Sequence, residues 1–160
     1  MDVRADKLAG VVDLFGALTR TELTEGLAEL AFKAGEAADP EAFTADVRAA
    51  LRSYHLVAVP AAETDAEADG DLLVPGPVAF PELPEAATDL PHILEVPERS
   101  VDREAAARAA ERRFREDAAA AAEAGDAERI ADLLDVSYEL EVWGPVELAA
   151  ARDRLDAATE

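Results

Sequence analysis

The fold turns on the stretch Asp39-Pro-Glu-Ala-Phe-Thr-Ala-Asp-Val-Arg-Ala-Ala-Leu-Arg-Ser-Tyr-His55-Leu-Val-Ala-Val59. Asp39 before Pro40 is a helix start: an acidic N-cap, then a proline at the first helical position, where its missing N–H costs nothing. Phe43, Val47, Ala50, Leu51 and Tyr54 then recur at the helical period and predict one buried stripe. At His55 the period changes, and His55 to Val59 reads as a strand. Asp71 to Val74 is its natural partner, with the acidic, alanine-rich stretch Pro60 to Gly70 as the long solvated loop of a β-hairpin.

Two helices precede this stretch. Val3 to Leu18 places Leu8, Val11, Val12, Phe15 and Leu18 on one face. Thr19-Arg-Thr-Glu22 is a capping box, in which the Thr19 hydroxyl accepts an N–H three residues on and Glu22 reaches back to the N-cap N–H. Leu23, Leu27, Leu30 and Ala31 carry that second helix to Gly35, a C-terminal cap. Three short helices and a hairpin follow the order of a winged helix-turn-helix domain, whose third helix is the recognition element. The Gly35 to Asp39 connection is longer than the three or four residues typical of that motif.

Beyond the hairpin, six prolines between Pro75 and Pro97 work against regular structure. Val78, Phe80, Leu83, Leu90, Ile93, Leu94 and Val96 nevertheless make the segment too apolar for a free linker, so residues 79–99 are expected to lie extended across the domain as a strap. Ser100 or Asp102 caps a long helix to about Glu123, Gly125-Asp126 opens a helix through Leu134, and Gly144-Pro145 opens a last one to Ala158. The expected fold class is mainly α with a small β-hairpin: a winged-helix-like unit over residues 1–78, the strap, and a C-terminal helical region over residues 100–160.

The charge balance sets the environment. The 160 residues include 36 acidic and 15 basic side chains, for a net charge of -21. Acid exceeds base in every part of the chain, 10 to 6 over residues 1–60, 10 to 1 over 61–100 and 16 to 8 over 101–160, so this is not an acidic tail. At low salt such a surface repels itself, whereas salt at 1 M and above shortens the Debye length to about 3 Å or less. The composition points to an intracellular protein of a salt-in halophile, acidic as an adaptation to its solvent rather than for recognition of a basic partner. Apolar runs such as Leu72 to Val74 fall far short of the ~20 residues that span a bilayer. Met1-Asp-Val-Arg4 lacks the charge and apolar core of a signal peptide, so a soluble cytoplasmic protein without a membrane partner is expected.

Several chemistries lack their residues. Cys, Asn and Gln are all absent, which removes disulfides, thiolate nucleophiles, zinc ribbons and iron–sulfur clusters. His55 and His92 have no second ligand at metal-binding spacing and read as structural or surface groups. A Ser-His-Asp arrangement is open only to Ser53, Ser100 or Ser137, none of them within a Gly-x-Ser-x-Gly elbow, so no catalytic residue is assigned. Asp65-Ala-Glu67-Ala-Asp69-Gly70-Asp71 resembles the opening of a calcium loop. Its closing glutamate position is Gly76, so a solvated loop is expected. No glycine-rich phosphate loop occurs, and neither cofactor nor metal is expected.

The remaining candidate is a surface. Thr44, Arg48 and Arg52 are spaced by four on the third helix, opposite its apolar stripe. Arg48 or Arg52 could grip a guanine edge, with Lys33 and Arg20 on phosphates. Without Asn or Gln the usual adenine readout is missing, and Glu41 and Asp46 cancel the charge of the two arginines. Exposed ion pairs with acidic neighbours are the simpler role for both. A protein partner is therefore preferred to DNA, and nonspecific nucleic-acid binding is not expected. On the C-terminal helices, Arg108, Arg112 and Arg115 beside Glu104, Glu111 and Glu116 make an ion-paired face, and Trp143, with Tyr138 and Val142 nearby, is expected as a buried anchor.

Leu73-Val-Pro-Gly-Pro-Val-Ala-Phe-Pro-Glu-Leu-Pro and Leu134-Asp-Val-Ser-Tyr-Glu-Leu-Glu-Val-Trp-Gly-Pro resemble a family of small uncharacterised haloarchaeal proteins across nearly the whole chain. The resemblance implies a halophilic cytoplasm and carries over no site residue. The expected function is a non-enzymatic interaction or regulatory module, with a small carboxylate-based or metal-dependent enzyme as the alternative. A thermal melt from dilute buffer to multi-molar KCl is expected to show the midpoint rising steadily with salt; a flat or falling midpoint would contradict the solvent reading.

Overall fold

The computed structural model describes residues 4–159. The chain divides into two compact units, Met1–Asp102 and Arg103–Glu160. It is mainly α with one small antiparallel hairpin. The first unit runs α1 (Ala5–Phe15), α2 (Arg20–Lys33), α3 (Pro40–Arg52), β1 (Leu56–Pro60), β2 (Asp71–Pro75) and a single-turn α4 (Leu90–Ile93). The second consists of α5 (Arg103–Ala124), α6 (Ala127–Trp143) and α7 (Ala149–Ala158).

Local chemistry sets most boundaries in the first unit. α1 is shorter than the apolar pattern predicts because the chain turns at Gly16, at φ 88°; Val3, expected at the helix start, lies outside the described residues. The capping box forms as read: Thr19 Oγ1 accepts the Glu22 N–H at 3.2 Å, and Glu22 Oε1 accepts the Thr19 N–H at 2.8 Å. At the other end of α2, Gly35 at φ 75° allows the Gly35 N–H to reach the Phe32 carbonyl (3.0 Å) and the Glu36 N–H the Ala31 carbonyl (2.9 Å), a Schellman closure.

α3 closes in the same way but without glycine. His55 N–H reaches the Ala50 carbonyl at 2.9 Å, and Tyr54 occupies the left-handed position at φ 64°. Tyr54 is thus buried, as its spacing implies, but beyond the helix end rather than on its stripe. A left-handed non-glycine residue costs about 1–2 kcal/mol, offset here by burial of the whole aromatic ring.

The hairpin pairs Leu56 with Pro75 through to Pro60 with Asp71. Leu18, between α1 and α2, adds one rung on the far side of β2, exchanging hydrogen bonds with Leu73 at 3.2 and 2.7 Å. Around this small sheet Leu8, Val11, Val12, Phe15, Leu23, Leu27, Phe43, Val47 and Leu73 form one buried cluster, joined by Leu90.

The proline-rich segment is more regular than its prolines suggest, because residues 87–89 make a 3₁₀ turn that runs into α4. Pro91 sits in the first turn of α4, where proline is tolerated. The segment follows the glycines of the first two helices. A Cβ on Gly10 of α1 would lie 2.1 Å from the Glu82 carbonyl oxygen, and one on Gly16 1.9 Å from that of Arg99. Leu90 and Leu94 pack over Gly26 of α2.

At its end the segment is held by charge. Arg99 donates to both carboxylate oxygens of Glu22, at 2.5 and 3.0 Å, and its guanidinium is nearly buried, while Nε finds no acceptor among the described residues. Burial opposes ionisation of Glu22, but the Arg99 and Thr19 hydrogen bonds and the Arg99 charge outweigh it and hold the carboxyl below its ordinary value.

In the second unit α5 ends at Gly125 (φ 64°), and Asp126 caps α6 by accepting the Arg129 N–H at 3.1 Å. α6 continues about two and a half turns past the expected end at Leu134, to Trp143, because Val136, Ser137 and Leu140 extend its buried side. Gly144-Pro145 does not start the last helix: α7 begins at Ala149, and the Leu148 N–H is satisfied by Glu141 Oε2 at 2.8 Å. Phe114, Ile130, Leu133, Leu140, Leu148 and Leu155 are fully buried in this unit.

Two outcomes test this account. In an ordinary helix Gly→Ala stabilises by about 1 kcal/mol; Gly10→Ala is expected to destabilise by about 1–3 kcal/mol in urea titration, because the methyl meets backbone. Glu22→Gln is expected to cost about 1.5–3 kcal/mol near neutrality. Since Glu22 titrates lower in the folded chain than in the unfolded, its contribution is complete above the ordinary glutamate range. The gap between wild type and variant should therefore close as pH falls through the folded value.

Candidate functional site

The exposed side of α3 is built from its N-cap. Asp39 Oδ1 accepts the Ala42 N–H at 3.2 Å, and Phe43, Val47, Ala50 and Leu51 turn inward. Thr44, Arg48 and Arg52 are left on the solvent side. Steps of four residues set them about 6 Å apart along the axis, a row about 12 Å long.

The three are not equivalent. Thr44 donates its hydroxyl to the Pro40 carbonyl at 2.9 Å, which spends its only proton on the helix itself. Arg48 makes no hydrogen bond or ion pair among the described residues, whereas Arg52 and Asp46 each already have an intramolecular partner. Lys33, at the last position of α2, has its ammonium 3.6 Å from Asp89 in the turn before α4. Arg20 is exposed at the first position of α2, so these two cations stand about 20 Å apart along one helix.

Below the C-terminal end of α3 the fold assembles a trio that sequence spacing did not reveal. Ser53 Oγ lies 2.6 Å from His55 Nδ1, and His55 Nε2 lies 3.7 Å from Asp6 Oδ1, which also accepts the Phe80 N–H at 3.0 Å. The residue types are those of a hydrolytic triad, but the surroundings are wrong for one. The Ser53, Tyr54 and His55 N–H groups are all consumed by carbonyls of the last turn of α3, and Ser53 Oγ also donates to the Ala50 carbonyl at 3.2 Å. An oxyanion needs N–H donors converging on it, and a helix C-terminus offers carbonyl oxygens instead. The trio serves as a joint between α1, the end of α3 and the segment at Phe80. Only the Ser-Tyr-His spacing could have signalled its local half; Asp6 arrives through the tertiary fold. His92, the other imidazole, is exposed on α4.

The hairpin loop keeps its carboxylates in solvent. Asp65, Glu67, Asp69 and Asp71 are exposed, and Thr64 organises the backbone by donating to the Ala61 carbonyl at 2.8 Å and accepting the Ala66 N–H at 3.1 Å. Among the described residues, no group of three or more His, Asp or Glu side chains is arranged to hold a metal ion. None of the described helices is long and apolar enough to cross a membrane.

In the second unit an open groove of about 610 Å³ is lined by Glu111, Arg115, Glu141, Gly144, Pro145, Val146 and Glu147. Two of its three glutamates are engaged: Glu111 by Arg115 at 3.2 Å and Glu141 by Arg152 at 2.7 Å. The hydrogen bonds from Arg152 and from the Leu148 N–H hold the Glu141 carboxyl below the usual range, and the same pairing raises Arg152. Arg152 also lies 4.4 Å over the Tyr138 ring, and Arg103 4.6 Å over that of Trp143. Trp143, expected as a buried anchor, is only half-buried, while Tyr138 and Val142 are exposed.

Comparison with known proteins finds no match among curated proteins and none among solved structures. One family model does match, over residues 6–160, nearly the full length that carries the segment, the α3 row and the C-terminal helices. The chain belongs to that family, the family of unknown function DUF7109.

Proposed function

We propose that this chain is a non-enzymatic interaction or regulatory module of a halophilic cytoplasm, acting through a winged-helix-like unit over residues 1–78 that the strap of residues 79–99 holds together. The C-terminal region from residue 100 is a separate helical element of the same module. The observation that carries the reading is the Leu18 rung on β2. It makes the order of elements helix, short strand, helix, helix, hairpin, with the lone strand pairing the second hairpin strand. That order, with Thr44, Arg48 and Arg52 exposed on α3, is what supports the winged-helix-like reading, in which the hairpin loop would be the wing.

Charge decides between partners. From Ser53 to Glu98 the chain has ten carboxylates and neither Lys nor Arg. A stretch that rich in acid repels a phosphate backbone, and Lys33 is occupied by Asp89. A protein partner on the Thr44, Arg48 and Arg52 row is favoured over DNA. The DNA version retains one point in its support, the guanidinium of Arg48, which has no intramolecular partner among the described residues.

Cross-linking in host extract at multi-molar KCl, alongside selection of host genomic fragments, tests both versions with the same pair of proteins. Wild type is expected to cross-link a partner through α3 that the Arg48→Ala, Arg52→Ala double variant loses, with the melting curve unchanged. Enrichment of one DNA site, weakened by about 1–3 kcal/mol for each arginine removed, would assign the surface to DNA instead. Identical protein and DNA recovery by wild type and variant would overturn both versions.

A further inference from the structure

We draw no further inference here: the strongest candidate, the cleft between α5 and α7 lined by Arg115, Ala118, Ala119, Ala122, Ala151 and Arg154, carries nothing, because Arg115 is already engaged by Glu111, Arg154 is exposed, and nothing in the structure shows what covers the alanines.

Discussion

The Arg99–Glu22 pair is the contact on which the first unit closes. Glu22 has two duties: it caps the start of α2 through the Thr19 N–H, and it receives the guanidinium that ends the proline-rich segment. Without it a nearly buried cation would have no counter-charge, an arrangement that proteins avoid at a cost of several kcal/mol. The rest of the segment depends on glycine in a different way. At Gly10 and Gly16 a backbone carbonyl takes the space of a missing side chain, so the chain lies against the helices at a distance that no other residue permits.

Arginine is used throughout to organise acid. With 13 arginines against 36 carboxylates, most acid faces solvent and the paired minority is where geometry is needed. Arg99 fixes the segment, Arg129 and Arg113 converge on Asp117, and Arg152 draws Glu141 and the Tyr138 ring into one arrangement. Planar guanidinium suits these tasks, since it can grip a carboxylate with two donors and stack on a ring. Most of the remaining carboxylates are exposed.

The α3 row is polar, with Thr44 turned to its own backbone and Arg52 already partnered, so its specificity would rest heavily on Arg48. The Ser53, His55 and Asp6 trio shows why residue types alone are a poor guide: the same three side chains at the carbonyl end of a helix make a joint.

The sequence by itself determined the order of α1, α2, α3 and the hairpin, because caps and period changes are local. Thr19-Arg-Thr-Glu22, Asp39-Pro40 and Gly35 each satisfy backbone groups within a few residues, and no distant contact can overrule them cheaply. It also determined the charge and the absence of thiol chemistry, which are counts. Only the tertiary structure decided the left-handed Tyr54, the turn within the proline-rich segment, the continuation of α6 to Trp143, and the exposure of Val142. Each of these depends on what lies opposite in space. Burial opposite the chain repays strain at Tyr54 and extends a helix whose inward face is apolar, while Val142 stays exposed among the described residues.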